Sequence, residues 1–367
     1  MKRYAAPWWL PGGHAQTIWP ALFSRPHHGP PLRFSRERWA TPDGDFIDVD
    51  LLVDGGPPAG PPVHPAPAAG AAVGTQGATD APADPTAARP WLVLFHGLEG
   101  SSQSHYAQAF GHWARHAGWR YAVPHFRGCS GELNLAPRAY HSGDFEEIGW
   151  ILQRLRQRSA APLQAVGISL GGNALLRWAE EAGAAAAHTA RAVAAISSPI
   201  DLAAGGHAIG RGFNRQVYTR MFLRSMKPKA LAKLAQHPGL FDRERLLAAR
   251  DLYEFDNVFT APLHGFRDTD DYWARASAQP HLSLIRIPAL VLNARNDPFL
   301  PGRHLPRTHQ VGPWVTLWQP AQGGHVGFPG GRFPGHVQTL PQAVMGWMLD
   351  TAGPPSAVEP PQAPADG

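Results

Sequence analysis

A serine stands between two glycines at Gly167-Ile168-Ser169-Leu170-Gly171. The apolar run Ala165 to Ile168 leads into it, and the helix-like pattern LGGNALLRWAEEAG follows. A turn this sharp between a strand and a helix strains the serine backbone and brings positions two before and two after it close together, so only very small residues fit there. The helix that follows aims its unpaired N–H groups at the same spot, which favours negative charge. A hydroxyl is a poor nucleophile until a base takes its proton, and that base needs an orienting acid. ALVLNARNDPF carries Asp297 in the loop after one later strand, and WVTLWQPAQGGHVGF carries His325 in the loop after the next. The order serine, acid, histidine, each after its own strand, points to acyl transfer. A tetrahedral oxyanion needs two N–H donors. Leu170 follows the serine, and Leu98 lies in FHGLEGSS, where His96-Gly97 lets the backbone turn inward. Taken singly the residues say less. Asp297 before Pro298 is also good turn chemistry, and His325 is one of 19 histidines. Position carries the assignment.

Other residues have competing readings. His96, Gly97, His125 and Arg127 are candidates to touch substrate, the last two in HFRGCSG after the second core strand. The simpler reading of Arg127 is an ion pair with an acid such as Asp144 that braces the loop. Cys129 has no base placed for it and is not expected to be a nucleophile. His112 and His116 stand four apart on a helix, but two ligands without a suitably spaced carboxylate do not make a metal site, and no metal or other cofactor is expected. Neither G-x-G-x-x-G after a strand nor G-x-x-x-x-G-K-[ST] is present, which argues against dinucleotide and phosphate-loop chemistry. Trp8, Trp9 and Trp19 in PWWLPGGHAQTIWPALF either line an acyl pocket, rest on a lipid surface or pack over the sheet edge.

The elements that must hold these residues can be read along the chain. LRFSRERWATPDGDFIDVDLLV (32–53) reads as two strands joined by a turn. From Trp91, strands and helical patterns alternate, which predicts a mostly parallel, doubly wound α/β sheet. The rhythm breaks from 201 to 284, where helical patterns follow one another with no clear strand. This predicts a core over 1–200 and 285–351 with a helical cap inserted over 201–284. Apolar cap residues such as Val217, Met221 and Phe222 are expected either to line a channel or to pack on the core. Residues 55–90 and the tail 352–367 are rich in Ala, Pro and Gly, too poor in large apolar residues to offset their ordering entropy, and are expected to be disordered.

Composition bounds the rest. The chain has 367 residues, is 44% hydrophobic and 17% charged, and carries a net charge of +5. Its pI is about 9.6. The basic residues are interleaved with acids and mostly arginine, with lysine only at positions 2, 227, 229 and 233, so no nucleic-acid footprint is expected. A single cysteine rules out an intrachain disulfide and suggests a reducing, cytoplasmic setting. MKRYAAPWWLPGGHAQ is broken by Pro7, Pro11 and Gly12-Gly13, so it does not read as a signal peptide. No apolar run approaches the roughly 18 residues of a membrane span.

Several segments together resemble one family. GGHAQTIWP, TPDGDFIDVD, LFHGLEGSSQSHYA, HFRGCSGELN, YHSGD, GISLGGN, ARNDPF and GGHVGF look like the YheT-type branch of the α/β-hydrolases, related to ABHD-type acylglycerol lipases and carboxylesterases. The resemblance runs from about residue 8 to 350, apart from the 55–90 insertion. It implies an α/β-hydrolase fold and a serine hydrolase acting on carboxylic esters, either short-chain acyl esters or acylglycerols, with Ser169, Asp297 and His325 as the triad. A thioesterase or amidase would use the same residues, a lyase or perhydrolase stays open, and a non-catalytic binding protein of this fold is the alternative outside enzymes. The expected partner is a small-molecule or lipid ester, with transient contact to a lipid surface, no stable membrane insertion and no nucleic acid. The oligomeric state is open.

Overall fold

Runs such as Trp91–Phe95, Leu163–Ile168 and Ala192–Ile196 bury every residue, as strands do when both faces of a sheet are covered. In the computed structural model, which describes residues 4–25, 30–53 and 88–351, they are the middle of one eight-stranded sheet. The insertion expected at 55–90, apart from its last three residues, and the tail expected at 352–367 lie outside the described residues.

The strands are β1 (Phe34–Ala40), β2 (Phe46–Leu52), β3 (Trp91–Phe95), β4 (Arg120–Pro124), β5 (Leu163–Ile168), β6 (Ala192–Ile196), β7 (Ala289–Leu292) and β8 (Val315–Trp318), in the order β1-β2-β4-β3-β5-β6-β7-β8. β1 and β2 form an antiparallel hairpin, and β2 runs antiparallel to β4. All other neighbours are parallel. The register sets Phe95 opposite Gly167, Ile168 opposite Ile196 and Leu292 opposite Trp318, so the carboxyl ends of β3, β5, β6, β7 and β8 share one rim. That rim is where ligands of open parallel sheets bind.

Among the described residues, the α-helices of six residues or more are α1 (Gly13–Leu22), α2 (His105–His116), α3 (Phe145–Gln157), α4 (Leu170–Ala182), α5 (Leu202–Ile209), α6 (Arg220–Gln236), α7 (Arg243–Ala248), α8 (Leu252–Val258), α9 (Thr269–Ala276) and α10 (Thr339–Thr351). Strand alternation divides the core into two layers. Val93, Phe95 and Ala165 meet Ile148, Ile151, Leu155 and Leu175 of α3 and α4 on one face. Leu92, Leu94 and Val166 meet Phe110, Ala114, Val344 and Met348 of α2 and α10 on the other. Each such fully buried Val, Leu, Ile, Phe or Met side chain contributes about 1.5–3 kcal/mol.

Between β6 and β7 the chain forms a helical cap. Four of its helices start on an aspartate, Asp201, Asp242, Asp251 or Asp268, whose side chain accepts a backbone N–H of the first turn. Each cap is worth about 1 kcal/mol. The cap has small apolar centres of its own, one built on Leu223, Leu246, Phe255 and Phe259 and another on Leu202, Tyr272 and Trp273. Among the described residues, no helix is long and apolar enough to cross a membrane.

Candidate active site

Ser169 occupies the turn between β5 and α4 with φ 51° and ψ −118°, a conformation that L-residues rarely adopt. Its amide donates to the Ile196 carbonyl at 2.9 Å, which anchors the strained turn to the neighbouring strand. The flanking glycines are sterically required. A Cβ on Gly167 would lie 2.4 Å from Gly172 Cα, and one on Gly171 would lie 2.5 Å from the His96 carbonyl oxygen. A third glycine not singled out in the sequence, Gly172, leaves no room for a Cβ against Ser198 Oγ.

Three loops on the shared rim bring three side chains together. His325 Nε2 is 3.0 Å from Ser169 Oγ, and His325 Nδ1 is 2.9 Å from Asp297 Oδ2. The Asp297 side chain is fully buried, and its other oxygen also accepts the Phe299 N–H at 2.8 Å. The Phe299 ring stacks on the imidazole with centroids 4.0 Å apart and restricts its rotation. A chain of contacts with this geometry is suited to drawing the proton from a serine hydroxyl.

The turn after β3 faces the serine. Gly97 approaches so closely that a Cβ there would be 3.2 Å from Ser169 Cβ. Its N–H donates to Tyr106 Oη at 3.0 Å, and the Glu99 N–H donates to Tyr140 Oη at 3.0 Å. The amide between them, that of Leu98, makes no hydrogen bond among the described residues. Leu98 and Leu170 both line the cavity beside Ser169. Leu170 is the first residue of α4, where the N–H has no partner within the helix.

The cavity, about 160 Å3, lies between this rim and the cap. Its cap wall includes Leu202, Ile209, Phe222, Met226, Phe255 and Trp273, and Phe299 lines it beside the imidazole. Lys229 of α6 reaches across to Glu99, Nζ to Oε2 2.9 Å, tying cap to rim. Of the cap residues singled out in the sequence, Phe222 lines the cavity, Val217 packs beside Ile209, Tyr218 and Phe299, and Met221 is exposed.

The other candidates sit elsewhere. His96 is fully buried, with Nδ1 on the Gly97 carbonyl at 2.7 Å and Nε2 accepting the Phe126 N–H at 3.1 Å. Burial lowers its pKa to about 3, so it stays neutral and shapes the turn rather than lining the cavity. His125 is likewise behind the wall, its Nε2 2.9 Å from Asp50. Arg127 reaches the cavity edge but its guanidinium is committed to Asp43, Asp45 and Glu147. The expected partner Asp144 pairs with Arg138 instead. Burial pushes the Cys129 thiol up to about 12, which keeps it protonated. His112 Nδ1 lies 2.9 Å from Arg115, and no group of three or more metal-type ligands exists among the described residues. Trp9 and Trp19 pack against each other and Phe333, while Trp8 is exposed.

Residues 90–331 match the model of the family described as alpha/beta hydrolase fold. The chain is an α/β-hydrolase. It is 36% identical over 338 residues to the candidate esterase YheT of Escherichia coli strain K12, covering 91% of this chain and 89% of that one. This places the α/β-hydrolase on the YheT-type branch. It is 31% identical to the mouse phospholipase ABHD3, over 67% of this chain and 60% of the relative, and 28% identical to a Saccharomyces cerevisiae monoacylglycerol lipase, over 66% and 55%. The α/β-hydrolase thus falls among esterase- and lipase-type members.

Sequence reasoning missed Phe299 and Thr17, which touch the histidine, and Gln16, Asn296 and Ser197, which bond the loop amides beside it. The Gly-Gly-His triplet shared by 12–14 and 323–325 also occurs at 205–207, so it does not by itself point to them.

Proposed function

We propose that this α/β-hydrolase cleaves carboxylic esters of short acyl chains or acylglycerols through an acyl-enzyme. The observation that carries the reading is the unbroken contact from Asp297 through His325 to Ser169 at a strained strand–helix turn. His325 Nε2 takes the Ser169 proton as Oγ attacks the acyl carbonyl. Asp297 holds the Nδ1 proton and stabilises the imidazolium. The N–H groups of Leu98 and Leu170 receive the oxyanion, each worth about 3 kcal/mol. The imidazolium then gives its proton to the departing alcohol oxygen; water, deprotonated by the same nitrogen, attacks the acyl carbonyl, and the imidazolium returns that proton to Ser169 Oγ as the acyl–Oγ bond breaks and the acid leaves. The chemistry uses no cofactor. The apolar cap wall suits an acyl chain, and the relatives' names, esterase, phospholipase and monoacylglycerol lipase, support the substrate class.

We assign the chemistry to the core, residues 1–200 and 285–351, and substrate enclosure to the cap, 201–284. We read the compartment as cytoplasmic on the strength of the single cysteine.

A fluorophosphonate should label wild-type protein at Ser169, and Ser169→Ala should lose both labelling and ester hydrolysis while melting at the wild-type temperature. Ester hydrolysis surviving in Ser169→Ala would overturn the reading.

A further inference from the structure

We infer that the first helix of the chain is part of the catalytic apparatus, with Gln16 and Thr17 as positioning residues that hold the backbone carrying His325; the inference rests on the proposed hydrolysis. The loop after β8 needs such support. It contains Gly323, Gly324 and Gly327, and φ is 147° at Gly323 and 62° at Gly324, so by itself the segment has many conformations. Yet the imidazole must sit within hydrogen-bond reach of both Ser169 and Asp297.

Four successive amides of this loop each donate to a side chain from elsewhere. Gly323 N–H donates to Gln16 Oε1 at 2.9 Å, Gly324 N–H to Asn296 Oδ1 at 3.0 Å, His325 N–H to Thr17 Oγ1 at 2.9 Å and Val326 N–H to Ser197 Oγ at 2.9 Å. Gln16 is fully buried, and its Oε1 also accepts Asn296 Nδ2 at 2.9 Å while its Nε2 donates to the Leu10 carbonyl at 2.9 Å. Thr17 Oγ1 spends its proton on the Gly13 carbonyl at 2.7 Å, so a lone pair faces His325. Backbones meet without room for side chains. A Cβ on Gly327 would lie 1.7 Å from the Gln16 carbonyl oxygen, and one on Gly13 would lie 1.9 Å from the Asn296 carbonyl oxygen.

This arrangement does more than close a surface loop. Gln16 grips the base loop through Gly323 and the acid loop through Asn296, the neighbour of Asp297, with one oxygen. Thr17 grips the residue that carries the base. The spacing between acid, base and nucleophile therefore depends on a helix about 300 residues away in sequence, outside the segment matched to the family model. A misplacement of about 1 Å at such a relay can cost about 10²-fold in rate.

The test uses the full chain. Thr17→Val keeps the shape and removes the acceptor, Thr17→Ser keeps the acceptor, and Gln16→Met removes the shared oxygen. On a soluble short-chain p-nitrophenyl ester, Thr17→Val and Gln16→Met should lower kcat about tenfold or more with KM within about twofold, and Thr17→Ser should stay within about threefold of wild type. The low-field proton resonance of His325 Nδ1 should broaden or shift in Thr17→Val and persist in Thr17→Ser. Wild-type kcat per folded molecule with an unchanged resonance in Thr17→Val and Gln16→Met would overturn the inference, even if both melt earlier. Were those two unable to fold, Ser197→Ala, which removes the bond on the far side of His325, decides by the same readings. If the wild type neither hydrolyses esters nor labels at Ser169, the proposed function fails, and the resonance still reports on the positioning.

Discussion

At the residue scale the site depends on a few side chains with no freedom to be anything else. Gly171 is packed against the His96 and Phe95 carbonyl oxygens, at 2.5 and 2.6 Å from where its Cβ would be. Gly171→Ala must therefore shift backbone, and it should destabilise the fold by about 1–3 kcal/mol in urea titrations. Activity should fall further than stability predicts, because the shift moves Ser169 relative to Leu98. Asp297 Oδ2 lies 2.9 Å from His325 Nδ1, and in the proposed mechanism it fixes the tautomer and faces the imidazolium. Asp297→Asn should fold normally and lose about 10⁴-fold in kcat, measured under saturating ester. A small loss would mean the imidazole is oriented chiefly by Phe299 and the loop amides.

At the scale of elements, the hairpin of β1 and β2 braces the rim through ion pairs to the buried guanidinium of Arg127. Arg127 Nη1 meets Asp45 at 2.8 Å and Asp43 at 2.9 Å, and its Nε meets Glu147 of α3 at 2.6 Å. One guanidinium therefore joins the hairpin, the loop after β4 and the start of α3. Arg127→Met would strand buried carboxylates and should cost about 3–5 kcal/mol, whereas kcat per folded molecule should change little. Arg127→Lys should recover only part of the stability, since an ammonium cannot serve three carboxylates from a planar fork. A selective loss of kcat/KM at unchanged stability would instead make Arg127 a substrate contact. The cap is held by its aspartate-started helices and by Lys229 on Glu99. That ion pair is partly exposed, so its contribution to stability is small.

At the scale of the whole molecule, two dependences follow. Burial alone would push the Asp45 carboxyl up, but hydrogen bonds from Asn134 and the Leu135 N–H outweigh it and hold the pKa at about 2. A carboxyl lowered in the folded state stabilises above its unfolded pKa, near 3.8, and that stability is lost as pH falls towards 2. Asp43, Asp48 and Asp50 shift in the same direction. Urea midpoints should therefore drop between pH 4 and pH 2, and Asp45→Asn should flatten part of that slope. The second dependence is on acyl length. Each CH₂ placed in the apolar cavity should add about 0.8 kcal/mol, or roughly fourfold in kcat/KM, until the space is filled. A flat series from short to medium acyl esters would show that the chain binds outside it.

What could be read from the sequence alone had local or topological causes. The strand runs, the glycines around Ser169 and the helical stretch over 201–284 follow from burial, sterics and periodicity within a few residues. The loops carrying Asp297 and His325 follow from the rule that parallel strands end on one rim. What only the tertiary structure decided concerns buried polar groups, because each must find a partner and sequence does not tell which one comes near. His96 and His125, candidates for substrate contact, are spent on the Gly97 carbonyl, the Phe126 amide and Asp50. Arg127 braces its loop, but with Asp43, Asp45 and Glu147 rather than Asp144. Gln16 and Thr17 face the histidine loop only because the folded sheet brings the first helix to the rim where the last strand ends.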